Sequence, residues 1–260
     1  MLAVNRQERI LKLLHEKGFV KVSDLSKMFD VSEETIRRDM EKLENQGLLQ
    51  KIHGGATLIG EVNDVPPISL RKEINLEGKR KIAQEAVKYV KAGDSIILDS
   101  GSTTLMLAHL LPDIEISVIT NDINIAYELS NKERVNLILT GGTQRKGSYS
   151  LVGPETEKFF ETYNVQKIFL STSGIKLGQG LSVSNILEAH IKKKIISCAQ
   201  EVICLADITK FGKTALVTFA PINQIHKLIC DQKIGKEYET YLRDRGIQVI
   251  IADEAADKKF

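Results

Sequence analysis

The chain has 260 residues and a mass of 29.0 kDa, which is long enough for one or two domains with a hydrophobic core. Hydrophobic residues make up 42% and charged residues 27%, so the composition argues against a disordered, fibrous or repeat protein. The net charge is only +2, so no global basic excess indicates nucleic acid and any such site must be local.

The cysteines and histidines give no sign of a metal or cofactor site. Cys198, Cys204 and Cys230 form no C-x-x-C pair and lie in or beside apolar runs, which predicts buried free thiols in a reducing compartment. No two histidines have the i, i+4 spacing of a zinc site. The charged N-terminus does not resemble a signal peptide, and no apolar run approaches the roughly 20 residues of a membrane span. We therefore expect a cytoplasmic protein without membrane segment, metal or cofactor.

The first region of the chain, residues 1–57, has the pattern of short helices. Apolar residues at helical spacing predict two helices, with Ser23 as a candidate N-cap of the second. Ser32 is placed to cap a third helix that runs to about Asn45. Helices in this order, joined by a few-residue turn, are typical of a helix-turn-helix domain.

The third helix has a polar face that suits a DNA major groove. On a helical wheel Ile36, Met40 and Leu43 share the side that we expect to be buried, and Glu34 and Arg38 lie opposite. The candidate DNA contacts are Ser32, Thr35 and Arg37 to phosphate and Arg38 to a guanine edge. The alternative is an ordinary solvated face, in which Glu34 and Arg38 form an i, i+4 ion pair.

A hairpin and a linker follow the third helix. The segments 48–52 and 56–59 predict a two-stranded wing. Lys51, His53 and Gly54 near its tip are candidates to follow a phosphate backbone or the minor groove, although an ordinary hairpin has the same pattern. Residues 58–74 lack periodicity and contain a Pro-Pro pair, which predicts a linker between a domain of residues 1–57 and one of residues 75–260.

The second region alternates apolar runs with amphipathic helices, which predicts a largely parallel sheet with helices on its faces. The predicted strands are 95–99, 116–120, 135–140, 167–172, 201–207, 227–231 and 248–252. Ligands of open parallel sheets bind outside the carboxyl ends of the strands. The loops that follow the strands are therefore the candidate sites.

The loop at residues 99–104, with the sequence D-S-G-S-T-T, joins the first of these strands to a helix. Backbone N–H groups and the helix dipole make such a turn an anion site, and glycine permits close approach to a phosphate. The candidate phosphate-binding residues are Asp99, Ser100, Gly101, Ser102, Thr103 and Thr104. The loop lacks the G-K-[ST] of a nucleotide-hydrolysing P-loop. The alternative is a plain strand-to-helix turn with a Ser or Thr cap.

Other polar loops follow the later strands. The further candidate effector contacts are Thr120, Asn121, Gly141, Gly142, Arg145, Gly174, Asp207 and Lys210. Arginine suits phosphate and the Asn and Asp side chains suit sugar hydroxyls. The alternatives are a helix cap for Asn121, a solvated basic loop for Arg145, a turn for Asp207 and a salt bridge for Lys210. The basic helix that carries Glu188 and Lys192–Lys194 reads as a solvated face.

Several of these motifs resemble the DeoR family of bacterial transcription regulators. T-I-R-R-D at residues 35–39, followed by H-G-G-A at residues 53–56, is highly specific, and D-S-G-S-T-T, T-N, G-G, S-G-I and L-A-D with K-F-G extend the match. The resemblance covers about residues 5–232. It implies a small winged helix-turn-helix domain and a larger α/β effector domain that resembles ribose-5-phosphate isomerase.

The resemblance also implies a function. We expect a homo-oligomeric regulator, a repressor of a sugar-metabolism operon, that leaves operator DNA when a phosphorylated sugar binds. Many relatives carry Asp after S-G-I, where this chain has Lys176, which indicates a different effector contact at that position. The alternatives are an activator, which the sequence does not separate from a repressor, and a phosphosugar isomerase, which needs a general base such as Asp99, Asp207 or Glu188. The S-G-I-K loop lacks the acidic cluster of those isomerases, so we expect no catalytic residue.

Overall fold

The structure, a computed structural model, describes residues 2–17, 19–46, 48–52, 54–57 and 75–252. The chain divides into two compact units, Met1–Pro67 and Ile68–Phe260, which are described separately below. The expected linker at 58–74 and the candidate residue His53 lie outside the described residues.

The described residues of the first unit form three helices and a small antiparallel sheet. Its elements are α1 (Ala3–Lys17), β1 (Phe19–Lys21), α2 (Val22–Phe29), α3 (Glu33–Asn45), β2 (Gln50–Ile52) and β3 (Gly55–Thr57), with the strand order β1-β3-β2. The predicted helix-turn-helix and wing are confirmed. The wing gains a third strand, β1, which pairs its three residues with β3 and is too short to show a hydrophobic period.

The helices of this unit pack around a continuous apolar core. Ile10 and Leu14 of α1 meet Leu25 of α2 and Ile36 and Met40 of α3, all of them fully or almost fully buried. The buried faces of the helices are therefore the ones that the apolar spacing predicts.

Two polar features fix the ends and the register of these helices. Ser32 caps α3 as expected, because its hydroxyl accepts the backbone N–H of Thr35. The expectation that Ser23 caps α2 is wrong. The helix begins at Val22, so Ser23 lies within its first turn, and the N-cap position is occupied by Lys21, whose side chain makes no capping hydrogen bond. The buried Arg6 of α1 donates to Asp39 of α3 at 2.5 Å, a link between helices that the sequence did not reveal.

The second unit is built on a seven-stranded parallel sheet. Its strands are β4 (Ser95–Leu98), β5 (Ile116–Thr120), β6 (Val135–Leu139), β9 (Val165–Ser171), β12 (Ala199–Leu205), β14 (Lys227–Cys230) and β15 (Gln248–Ile251). All seven predicted strands are present, with ends that differ by at most two residues. The strand order is β15-β14-β12-β9-β4-β5-β6. After β4 the chain first adds β5 and β6 on one side of it and then returns to add β9 and the later strands on its other side. Such a reversal is the topological switch point at which open sheets bind ligands.

Helices cover both faces of this sheet. The helices are α4 (Leu76–Val87), α5 (Ser102–Leu110), α6 (Ile123–Leu129), α7 (Pro154–Phe160), α8 (Ile186–Ser197) and α9 (Lys236–Arg243). Buried residues of α4, α5 and α6 form one core, and buried residues of α7, α8 and α9 form the other. The predicted three-layer α/β architecture is confirmed.

Short antiparallel strands were not predicted, because each spans only two to four residues. They are β7 (Thr143–Gln144) with β8 (Leu151–Val152), and β10 (Gly174–Lys176) with β11 (Gly180–Val183) and β13 (Val217–Ala220). The three cysteines are free and buried as expected, and burial raises the pKa of Cys198 to about 11 and those of Cys204 and Cys230 to about 12. The thiols are therefore protonated and inert at neutral pH.

Candidate functional site

The outer face of α3 carries its candidate DNA contacts in exposed positions. Ser32, Arg37 and Arg38 are exposed, Thr35 is half-buried, and the hydroxyls of Ser32 and Thr35 lie 2.9 Å apart. The side chain of Arg38 is 74% exposed, so it is free to enter a groove. The face predicted from the helical wheel is therefore the solvent face of this helix.

Arg37 and Arg38 of this face are each paired with an acid of the same helix. Arg37 bonds Glu33 at 3.0 Å and Arg38 bonds Glu34 at 3.3 Å. Exposed pairs of this kind contribute little to stability, at most about 1 kcal/mol. A DNA phosphate or base edge can therefore replace the glutamates at small cost.

Lys51 of the wing bridges two glutamates of α3. Its ammonium lies 3.2 Å from Glu41 and 3.3 Å from Glu44, and its backbone N–H donates to Glu44 at 2.8 Å. Burial alone would lower the pKa of Lys51, but the hydrogen bonds and charges of the two glutamates raise it. These contacts tie the wing to the helix, and Gly54 at the tip has a φ of +84°, which a residue with a side chain rarely adopts.

In the second unit, the loop after β4 lies beside the end of β9, at the topological switch point. Gly101 precedes the first turn of α5, and a Cβ added there would lie 2.6 Å from the Cβ of Ser171. Only glycine permits this close approach. Ser102 is half-buried and Thr103 is almost buried, and the first N–H groups of the helix have no acceptor within the helix itself.

A buried ion pair between Asp99 and Lys192 stabilises the start of the 99–104 loop. Asp99 accepts the backbone N–H and the hydroxyl of Ser171, each at 2.8 Å, and forms a short contact with the ammonium of Lys192. Lys192 also donates to the carbonyl of Ser171 at 3.0 Å. The interpretation of the 192–194 helix as a solvated face is thus wrong for Lys192, which is 4% exposed. The network joins β4, β9 and α8 at one point.

Asp122 lies next to this network at the end of β5. Its carboxylate accepts the hydroxyl of Ser100 at 2.6 Å and caps α6 through the backbone N–H groups of Asn124 and Ile125. Burial raises the pKa of Asp122, an effect that the charge of Asp99 adds to and the hydrogen bonds oppose. The alternative of a cap by Asn121 is wrong, because Asp122 is the cap.

Some predicted contact residues have their hydroxyls bonded within the protein. The hydroxyl of Thr104 donates to the carbonyl of Gly101 at 2.9 Å, and that of Thr120 donates to the carbonyl of Leu98 at 2.7 Å. Both side chains are completely buried. Thr120 therefore joins the ends of β4 and β5, whereas Thr104 stabilises the first turn of α5.

The loop after β6 is held against α7 and α8. A Cβ on Gly142 would lie 2.1 Å from the hydroxyl of Thr156, which donates to the carbonyl of Gly141 at 2.6 Å. Arg145 donates to Glu188 at 2.9 Å, and the side chains of both residues are mostly buried. Arg145 is therefore not the solvated cation of the simple loop interpretation, and Glu188 does not lie on a solvated face.

The remaining candidates lie at the start of β10 and in the turn after β12. Gly174 is buried, and a Cβ there would lie 2.5 Å from the carbonyl oxygen of Lys213. Asp207 accepts the backbone N–H of Thr209 at 2.9 Å, which supports the turn interpretation, and Lys210 lies 3.6 Å from its other oxygen. Lys176 is exposed.

Three buried polar residues near these strand ends were not among the predicted site residues, and the partly buried Glu188 was considered only as a possible general base on a solvated helix. Lys192, Asp122 and Glu188 form the contacts described above, and Thr140 follows β6 with 2% exposure. A lysine inside an otherwise amphipathic helix gives no signal of burial until the strand order is known.

No helix within the described residues is long and apolar enough to cross a membrane. The same part of the chain contains no group of three or more His, Cys, Asp or Glu side chains that could hold a metal ion.

Comparison with known proteins gives matches over most of the chain. Residues 6–62 match the DeoR-like helix-turn-helix domain and residues 74–232 match the DeoR C terminal sensor domain. The uncharacterized HTH-type transcriptional regulator YulB of Bacillus subtilis is 41% identical over 96% of each chain. The L-fucose operon activator of Haemophilus influenzae is 33% identical, over 95% of this chain and 99% of that one. The HTH-type transcriptional repressor CsqR of Escherichia coli is 28% identical over 96% of each chain.

Solved structures are more distant. Ribose 5-phosphate isomerase A of Methanocaldococcus jannaschii has 20% identity and a TM-score of 0.39, over 53% of this chain and 55% of that chain.

Proposed function

Because this chain belongs to the DeoR family of transcriptional regulators, we propose that it is a repressor of a sugar-metabolism operon that a phosphorylated sugar releases from its operator. Its relatives are named as transcriptional regulators, so it is a regulator and not an isomerase. In this proposal residues 1–57 bind DNA, residues 58–74 link the domains and residues 75–260 bind the effector.

The observation that carries the effector proposal is the loop 99–104 at the switch point of the sheet. The N-terminus of α5 supplies unpaired N–H groups and a positive dipole end. Gly101 lets the loop pack closely against Ser171, and the Asp99–Lys192 pair fixes the loop without a net charge. A dianionic phosphate therefore fits this position better than a neutral sugar ring.

The DNA proposal rests on the exposed face of α3. We expect Ser32, Thr35 and Arg37 to contact phosphates and Arg38 to contact a base edge, with the wing residues Lys51, His53 and Gly54 beside the duplex. One relative is named a repressor and another an activator, so the activator remains the second candidate.

The test combines thermal shift with an operator mobility shift in the presence of sugar phosphates and their unphosphorylated partners. A ligand at about 100 times its Kd adds roughly 2.7 kcal/mol of stability. We expect one phosphorylated compound both to stabilise the protein and to release the operator. Because the coupling between the two sites is reciprocal, operator DNA must weaken the binding of that compound by the same factor by which the compound weakens operator binding. Stabilisation by the unphosphorylated partner alone would refute the phosphate requirement.

The phosphate position is tested by one charge at the start of α5. Ser102→Asp adds a negative charge that suits the helix dipole but repels a phosphate. We expect unchanged or higher Tm and at least about tenfold weaker binding of the sugar phosphate. Ser102→Asn is the matched neutral control and should bind nearly as well as the wild type. Equal binding by both variants would place the phosphate elsewhere.

We also propose a homo-oligomer, since symmetric operators suit paired DNA-binding domains. Sedimentation velocity on the full chain should give a mass of at least two protomers. A monomer at micromolar concentration that still binds the operator with full affinity would contradict this.

A further inference from the structure

Two buried polar atoms at neighbouring strand ends have no hydrogen-bond partner among the described residues. They are the amide oxygen Oδ1 of Asn121, after β5, and the hydroxyl Oγ1 of Thr140, after β6. Both residues are 2% exposed. Unpaired buried polar groups cost stability, so a pair of them at a ligand-binding edge needs an explanation.

The pairing of β5 and β6 brings these residues together. Ile119 pairs with Ile138 and Thr120 with Leu139, and the N–H of Thr140 donates to the carbonyl of Thr120 at 3.0 Å. The next step of this register places Asn121 beside Thr140, about one strand spacing of 4.8 Å away. Alternation puts both side chains on the face of Ile119 and Ile138, which belongs to the core beneath α7 and α8.

The amide of Asn121 is held in one orientation. Its Nδ2 donates to the carbonyl of Leu151 at 3.1 Å, and the N–H of Leu151 donates to the backbone carbonyl of Asn121 at 2.7 Å. The atom that remains unpaired is therefore an acceptor. It needs a donor, which a carbonyl or phosphate oxygen does not supply and which a hydroxyl or an amine does.

We infer that Asn121 and Thr140 form a subsite that binds one hydroxyl of the effector and thereby selects a polyol-type carbon over a deoxy or keto carbon at that position. The ligand hydroxyl donates to Oδ1 of Asn121 and accepts from the hydroxyl of Thr140. The inference rests on the proposed effector function and adds Thr140 as a residue that determines specificity.

The position of this subsite relative to the loop 99–104 orients the ligand. β4, β5 and β6 are consecutive neighbours in the sheet, so the end of β6 lies two strand spacings, about 10 Å, from the end of β4. With the phosphate at α5, the carbon chain of the ligand extends across the end of β5 toward Thr140.

The decisive variant is Thr140→Val, which removes one hydroxyl and keeps the shape of the side chain. Because that hydroxyl is unpaired, the Tm of the ligand-free full-length chain should stay the same or rise. Thr156→Val is the matched control: its buried hydroxyl is bonded to Gly141, so its Tm should fall. A Tm loss in Thr140→Val as large as in the control would show a structural partner and overturn the inference.

Binding is measured by calorimetry with ribitol 5-phosphate, ribose 5-phosphate, 2-deoxyribose 5-phosphate and fructose 6-phosphate, each beside its unphosphorylated form. For the compound that binds the wild type best, we expect Thr140→Val to weaken binding about tenfold and Thr140→Ser to retain it. The analogue that lacks the hydroxyl should bind the wild type at least about tenfold more weakly than that compound does. The difference in affinity between the two compounds should be smaller for Thr140→Val.

The outcomes separate this inference from the proposed function. If a sugar phosphate binds and Thr140→Val binds it equally well, the subsite is overturned and the proposed function stands. If only unphosphorylated polyols bind and Thr140→Val weakens them, the subsite stands and the phosphate requirement fails. If the wild type binds no compound of either set, both are overturned.

Discussion

Lys192 and Asp99 show how a single buried contact supports the candidate effector loop. Their side chains are 5% and 2% exposed, and Ser171 supplies the remaining hydrogen bonds. A buried ion pair of this kind adds little net stability, but the loss of one partner leaves an uncompensated charge.

We predict that Lys192→Met destabilises the protein by about 3–5 kcal/mol, because Asp99 is then buried without its counter-ion. Urea unfolding measures this loss. The double variant Asp99→Asn with Lys192→Met should recover much of it, since no charge remains in the core. A single variant that loses less than about 1 kcal/mol would mean that Asp99 reaches water or another cation.

Asp122 gives a prediction about pH. Burial raises its pKa above the ordinary value of 3.8, so the folded protein binds this proton more tightly than the unfolded chain does. The stability that this group contributes is therefore complete below the unfolded pKa and is lost as the pH rises through the folded pKa. Asp122→Asn should be more stable than the wild type at about pH 7.5, with a difference that vanishes near about pH 4. Chemical unfolding at both pH values measures it, and lower stability at both would show that the carboxylate charge is required.

At the scale of elements, α3 presents Arg37 and Arg38 already paired with glutamates one turn earlier. This arrangement explains why residues 1–57 have no strong basic excess although the face is suited to DNA. The glutamates neutralise the arginines in the free protein, and binding exchanges one partner for another.

We predict that Arg38→Ala weakens operator binding by about 1–3 kcal/mol at fixed salt, as expected for the loss of a base contact. Mobility shift measures the affinity, and Tm should not change because the Arg38–Glu34 pair is exposed. Glu34→Ala is the matched control, since it removes the same pair and leaves Arg38 free, and it should bind at least as tightly as the wild type. Equal weakening by both variants would contradict a direct role of Arg38.

At the scale of the whole molecule, the chain contains two compact units with separate cores. The buried residues of each core come from one unit alone. Each unit therefore has its own hydrophobic core, as an independently folding domain does.

We predict that limited proteolysis of the full chain cuts first within residues 58–74, because the stretch lacks hydrophobic periodicity and contains Pro66 and Pro67. Mass spectrometry of the fragments locates the cut. The digested sample should keep the thermal shift with the effector and lose operator binding. A first cut inside the sheet strands would refute the boundary.

The local elements of this protein follow from short-range patterns in its sequence. Ser32 caps its helix through contacts within four residues, and apolar runs mark strands because burial on both faces requires continuous hydrophobic residues. The strand-to-helix loop 99–104 could also be predicted, since a strand, a glycine turn and a helix N-terminus are contiguous in the chain.

Which distant side chains meet depends instead on the strand order and the packing of the folded chain. Asp99 and Lys192 are 93 positions apart and become partners because β4 and β9 are neighbours, an order that no local pattern encodes. For the same reason the sequence did not reveal the contact between Arg145, which was predicted to bind phosphate with a solvated loop as the alternative, and Glu188, which was predicted to lie on a solvated face. The unpaired atoms of Asn121 and Thr140 are likewise defined by strand register, because burial and hydrogen bonding depend on the neighbours that the fold supplies.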